Sequence, residues 1–324
     1  MLKDRGMSTA KIPKKVNTTR KDDKEVNLSN WDDLFELVKN TTDIQKIKEQ
    51  CILHIKKLIE EARLPNYQIQ FLYDEDSITE FTQNRLYSSF GKLDSSKDLL
   101  LVIDSRGGEI EPAYFISKAA KKFSQKFIVV VPRKAKSAAT LISLGADEIH
   151  MGIVSELGPI DPQINGMPAL GVSNAVGNIA SICQKYPGAS NMLAKYLALT
   201  VEPTTFGYYE RIVESAVQYA ERLLSNKTLP KKQDNISVWS RLVYEYKDHS
   251  FVIDYDEAKD LLGNDMVKTA SEELKLGESL YNFLDEVNIL MKIFKNQRLY
   301  ILGDIDEGLQ SSEYKKKEKN SSTL

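Results

Sequence analysis

The sequence predicts an α/β protein, because short apolar runs alternate with segments at helical spacing from Tyr67 to Met151 and a long helical stretch follows Pro162. Three observations carry that reading. Leu99-Leu100-Leu101-Val102-Ile103 and Phe127-Ile128-Val129-Val130-Val131 are unbroken apolar runs of strand length, as strands covered on both faces are. The segments between such runs are long enough for the crossover helices that parallel strands require. Beyond them, Phe206, Ile212, Val213, Ala216, Val217, Ala220 and Leu224 recur at the spacing of one helix face.

Taken in order, Ser29 or Asn30 is an N-cap before Trp31, with Leu34, Leu37 and Val38 on one stripe, and a second helix runs from about Asp43 to Glu61. The alternation then reads strand Tyr67 to Leu72, helix Ser77 to Phe90, strand Leu99 to Ile103, helix Glu111 to Phe123, strand Phe127 to Val131, helix Ser137 to Gly145 and strand Glu148 to Met151. Helices follow at Asn174 to Lys185, Ser190 to Leu199 and Thr205 to Ser225, with a further one ending near Tyr246. Phe251-Val252-Ile253 is strand-like and precedes a helix from Tyr255 to Leu262. A last amphipathic helix, Glu278 to Lys295, aligns Leu280, Phe283, Leu284, Val287, Leu290, Met291 and Phe294, a core face or a subunit contact. The resulting organisation is a disordered basic tail over 1–26, a helical lead-in over 27–66, an α/β domain over 67–275, a C-terminal amphipathic helix over 276–309 and a disordered tail over 310–324.

The chain has 324 residues, 42% hydrophobic and 28% charged, enough for a substantial core. Its formal charge of -2 supplies no global field to recruit nucleic acid. Cys51 and Cys183 are far apart and outside any CxxC spacing, which argues against a disulfide framework and a cysteine-rich zinc site and fits a reducing cytoplasm. The first twenty residues lack the apolar core of a signal peptide, and no apolar run approaches the roughly 18 residues of a membrane span. Membrane contact is expected only peripherally, through the basic tail. No motif for a metal, nucleotide or other cofactor is present.

The residues that point to chemistry lie at two strand ends. Ser137 opens a nearly all-apolar helix, beside backbone N–H groups that have no helical partner. Its bland meaning is a helix N-cap; its sharper one is a nucleophile. Gly107-Gly108, after the strand ending in Asp104-Ser105-Arg106, forms a turn whose backbone can approach another molecule closely. Together the two junctions offer a nucleophile and oxyanion donors.

Asp-Ser-Arg-Gly-Gly at 104–108, SAATLISLGAD from Ser137 and SELGPIDPQ from Ser155 resemble the Clp-fold serine peptidases, most closely the serine dehydrogenase proteinase branch, relatives of signal peptide peptidase A. The likeness covers roughly Tyr67 to Gln163 and continues more loosely to Val267. It implies a Clp/crotonase-like spiral of β-β-α units, a serine endopeptidase independent of ATP by itself, a polypeptide substrate, and assembly with further copies of the same chain. It also implies Ser137 as nucleophile and N–H groups of Gly107 or Gly108 with Ala138 as the oxyanion hole. Lys134 and Lys136 stand where the family often has small residues.

For the base, the resemblance points first to His249, just before a segment that in these peptidases carries an acidic triad member, with Asp248 or Asp254 as orienter. His150 is the second choice, and a Ser-Lys dyad through Lys185 or Lys195 the third. Asp161 is either a residue shaping the loop beside the groove, an Asx turn before Pro162, or an alternative orienter. His54 reads as a surface or packing residue. Competing functions are a catalytically inactive scaffold of the same fold and a crotonase-like acyl-CoA enzyme, against which Ser137 argues.

Overall fold

The structure, a computed structural model, describes residues 28–164, 167–200, 203–230 and 236–314. The tail expected over 1–26 and the residues after Tyr314 lie outside them.

The lead-in helices are α1 (Trp31–Asn40), capped by Asn30, and α2 (Ile44–Glu61), capped by Asp43; each cap side chain accepts an N–H two residues on. Then come β1 (Tyr67–Asp74), α3 (Glu80–Phe90), β2 (Asp98–Ser105), α4 (Ile110–Lys122), β3 (Phe127–Val131), β4 (Lys134–Ala135), α5 (Ala138–Leu144), β5 (Glu148–Met151) and β6 (Glu156–Leu157). A small hairpin, β7 (Gln163–Ile164) and β8 (Met167–Pro168), leads to α6 (Ala169–Lys185), α7 (Ser190–Thr200) and α8 (Pro203–Leu224). The chain continues through α9 (Val238–Tyr244), α10 (Tyr255–Leu262), β9 (Val267–Lys268), α11 (Glu272–Lys295), β10 (Gln297–Gly303), α12 (Ile305–Gly308) and β11 (Leu309–Glu313).

The main sheet runs β11-β10-β1-β2-β3-β5-β9, with β4 beside β2 and β6 beside β4. Pairs from β1 through β9 are parallel, and β10 and β11 add an antiparallel edge. Successive side chains of a strand point to opposite faces, so the apolar runs of β2 and β3 feed two cores. Leu99, Leu101, Ile103, Phe127, Val129 and Val131 pack towards α3, α4, α5 and α8. Leu100, Val102, Ile128 and Val130 pack under α1, α2 and α11. His54 is a packing residue of the second core, its ring 4.4 Å from that of Phe283.

Two readings of the sequence are corrected. The C-terminal helix does not extend to 309, nor does a tail begin at 310: Gln297–Gly303 is a strand on β1, and Leu309–Glu313 pairs with it as the sheet edge. Asn296, in the left-handed conformation (φ 52°), ends α11 and turns the chain into β10. The edge strand holds Gln310, Ser311, Ser312 and Glu313, whose polarity disguised it; pairing to β10, not local composition, makes it a strand. In 251–253, only Ile253 pairs, as a single antiparallel bridge to Leu157.

Candidate active site

The site lies at the carboxyl ends of β2 and β4. After Ser105 the chain turns through Gly107 (φ 95°) and Gly108 (φ 156°). Both need glycine. A Cβ on Gly107 would stand 2.5 Å from the Lys136 carbonyl oxygen and 2.9 Å from the Ala138 nitrogen; one on Gly108 would stand 2.3 Å from the Ile78 nitrogen. The turn is pinned to the segment before α3, because Ile78 N–H donates to Gly107 O at 2.8 Å and Glu109 N–H donates to Ile78 O at 2.8 Å.

Ser137 joins β4 to α5 in a conformation rare for a non-glycine residue, φ 51° and ψ -117°. Its hydroxyl makes no capping bond to the helix, so the bland meaning of this serine is not the one realised. Such strain costs on the order of 1–3 kcal/mol and persists only where neighbours over-determine it. Here they do: Lys136 N–H donates to Ser105 O at 3.0 Å, Ala139 N–H to Lys136 O at 2.9 Å, and Thr140 Oγ1 donates to Ala135 O at 2.6 Å. Thr140 Oγ1 also accepts from the Gly158 N–H at 3.0 Å, which fastens the SELGPID loop to the start of α5.

The donors for a developing oxyanion can be narrowed. Gly107 N–H donates to Ser105 Oγ at 3.2 Å, while no such partner among the described residues engages the N–H groups of Gly108 and Ala138. Gly107 abuts Ser137 and Ala138, which brings the glycine turn against the first turn of α5.

His249 sits in the loop between α9 and α10. Its Nδ1 lies 2.6 Å from Asp161 Oδ1. A carboxylate accepts only, so Nδ1 carries the hydrogen and Nε2 keeps the lone pair that can take a proton. Asp161 is buried, and its other oxygen accepts from Gln163 Nε2 at 2.8 Å. The two loops are clamped by Ile160 N–H to Leu242 O at 2.9 Å and by the paired bonds between Leu157 and Ile253 at 2.9 and 3.1 Å.

Ser137, Gly108, Gln163 and His249 line one groove of about 610 Å³, closed on its other sides by Arg106, Ile110 and by Ile212, Ser215 and Tyr219 of α8. The remaining candidates lie elsewhere. Asp248 accepts from the N–H and hydroxyl of Ser250, at 2.8 and 2.7 Å, and Asp254 caps α10 by accepting from Glu257 N–H, so both are used for local turns. His150 points away on β5, its Nδ1 2.6 Å from Ser271 Oγ and its Nε2 3.3 Å from Glu148; burial lowers its pKa. Lys185 and Lys195 are exposed on α6 and α7 and do not line the groove. Sequence reasoning missed Gln163 and Thr140. Both lie inside the quoted motifs, but nothing in a polar residue's spacing says which loop it will hold.

Residues 91–182 match the family of ClpP-like SDH-type serine proteinases. The matched segment carries Gly107, Gly108, Ser137 and Asp161 and stops short of His249. An uncharacterised protein of Methanocaldococcus jannaschii is 30% identical over 186 residues, 57% of this chain and 59% of the relative. A second uncharacterised protein of that organism is 29% identical over 147 residues, 44% of this chain and 48% of the relative. The chain thus spans about half the length of the curated relatives it matches. Two solved structures of mutants of the 1510-N membrane-bound stomatin-specific protease, one in complex with a substrate peptide, each have 13% sequence identity and a TM-score of 0.40. They cover 77% and 78% of this chain and 92% and 90% of their own. No helix of the described residues is long and apolar enough to cross a membrane.

Proposed function

We propose that this protein is a serine endopeptidase working through an acyl-enzyme on Ser137, since the segment that carries Ser137 matches the family of ClpP-like SDH-type serine proteinases. The observation that carries the reading is one groove lined by a strained, uncapped serine and by a histidine whose other nitrogen is held by a buried carboxylate. In the first step His249 Nε2 takes the Ser137 proton as Oγ bonds to the substrate carbonyl carbon. The negative charge moves to the carbonyl oxygen, where the N–H groups of Gly108 and Ala138 donate to it. Collapse breaks the C–N bond, and the imidazolium returns its proton to the departing amine. A water, deprotonated by the same nitrogen, then releases the acyl group and restores Ser137. Asp161 keeps the imidazole in the productive tautomer and stabilises its charged form.

The test combines a fluorophosphonate probe, with mass-spectrometric mapping of the adduct, and turnover of an unfolded casein-type substrate. Labelling at Ser137 together with turnover lost in Ser137→Ala supports the reading. Unchanged turnover in Ser137→Ala overturns it. Labelling at Ser137 without turnover by wild type points instead to a fold that retains its nucleophile and lacks endopeptidase activity.

A further inference from the structure

We propose that Lys136 is a positioning residue for the base, tying the loop that presents His249 to the turn that presents Ser137; this rests on the peptidase reading above. Lys136 immediately precedes Ser137, so its backbone belongs to the nucleophile's turn. Its side chain, only 15% exposed, does not run out to solvent. The ammonium stands 3.0 Å from Phe251 O and 3.5 Å from Ser250 O, the two carbonyls that follow His249. It also donates to Leu157 O at 3.3 Å and pairs with Glu156 Oε2 at 3.0 Å.

One cation therefore gathers carbonyls from the two loops that carry His249 and Asp161, while its own backbone holds Ser137. The route is built for it. A Cβ on Gly158 would come within 2.7 Å of Lys136 Cδ, so the glycine of the SELGPID motif leaves room for the lysine stem. An exposed ion pair with Glu156 would need none of these carbonyls and no such channel. Backbone carbonyls accept from any donor, and a point charge with three donors on a long stem suits scattered acceptors better than a planar fork. Small residues at this position would remove these bonds from the His249 loop and leave its tie to the Asp161 loop to the Leu157–Ile253 bridge, the Ile160–Leu242 bond and the Asp161 contact.

The experiment compares wild type, Lys136→Met and a restored side chain. In a Cys183→Ser background, Lys136→Cys alkylated with 2-bromoethylamine returns an ammonium at nearly the same reach; Cys51 is buried and shielded from the reagent. Lys136→Met is expected to lower kcat about 10- to 100-fold, the loss typical of a misplacement near 1 Å, with KM within about twofold. Alkylation should restore most of the loss. Independently of turnover, the downfield proton resonance of the His249 Nδ1–H held by Asp161, assigned by its loss in His249→Gln, should broaden or vanish in Lys136→Met and return on alkylation. Unchanged kcat, or an unchanged resonance in Lys136→Met, overturns the inference. Failure of the peptidase reading shows itself separately, as absence of Ser137 labelling in wild type, and the resonance still decides the role of Lys136.

Discussion

Asp161 Oδ1 lies 2.6 Å from His249 Nδ1, across 88 positions of chain, and one Asp161 oxygen is spoken for by histidine while the other accepts from Gln163. The carboxylate can therefore do one thing to the imidazole: hold its hydrogen on Nδ1. In Asp161→Asn, the amide would donate to Nδ1, forcing the hydrogen onto Nε2 and removing the lone pair that faces the groove. Peptidase kcat is expected to fall on the order of 10³- to 10⁴-fold with the fold intact, as in other serine enzymes that lose the tautomer-setting carboxylate. Steady-state turnover beside circular dichroism decides it; a loss under tenfold would remove Asp161 from the mechanism.

Gly107 answers for the turn that meets Ser137. Its φ of 95° penalises any side chain, and a Cβ would collide with backbone on the Lys136–Ala138 segment, which cannot swing aside as a side chain would. Gly107→Ala should lose about 2–4 kcal/mol, combining left-handed strain with overpacking, and should lose activity with it. Gly91→Ala is the control, since its φ is -62° and its nearest contact would be 3.5 Å. That variant should be neutral or gain up to about 1 kcal/mol. Denaturant unfolding of both compares them directly, and equal stabilities would refute the collision.

The parts of this molecule that sequence made legible are those where one residue type has one physical use. Strands buried on both faces announce themselves as β2 and β3 do, as short apolar runs rich in β-branched residues and bounded by polar turns. Ser137 and Gly107-Gly108 were visible because strand-to-helix junctions are short and special there. Two things were hidden. The edge strand Leu309–Glu313 depends on its partner β10 and carries a polar sequence. The choice of Asp161 over Asp248 and Asp254 depends on where two loops dock: each aspartate sits near a turn, and all three have the local spacing to cap one. Lys136 looked like a departure from the family pattern because its partners, the carbonyls of 157, 250 and 251, have no sequence signature at all.

Asp104 gives the folded protein a pH dependence with a definite sign. Burial raises its pKa from the usual carboxylate range to about 6, opposed by Lys134, whose ammonium is 3.6 Å away; one carboxylate oxygen has no hydrogen-bond partner. A carboxyl whose folded pKa is raised binds its proton more tightly in the folded state. Its stabilisation is whole below the unfolded value of about 3.9 and is lost as pH rises through about 6. Asp104→Asn removes this dependence, so the stability difference between variant and wild type should move in the variant's favour between pH 4 and 7. The change with pH is at most about 3 kcal/mol, because the pKa of about 6 already includes the attraction of Lys134. Urea unfolding at the two pH values measures it, and a difference that does not change with pH would show that Asp104 titrates as it does in the unfolded chain.

Gly277 sets a contest between two local effects, and packing should win. It lies within α11, where alanine would ordinarily stabilise a helix by about 1 kcal/mol. Yet its Cβ would stand 2.3 Å from Val130 Cγ1, on the face of β3 that α11 covers. Val130 is fully buried among its neighbours, so relief requires either a strained rotamer or a shift of the helix, at roughly 1–3 kcal/mol. Gly277→Ala should therefore be destabilising by about 1 kcal/mol net. In Gly277→Ala with Val130→Ala the added methyl occupies space the valine vacated, so the pair should be less destabilised than the sum of the singles by at least about 1 kcal/mol. Because α11 covers the sheet face opposite the groove, peptidase kcat should stay within about twofold in all three variants; additive stabilities would show that helix and sheet move apart freely at this contact.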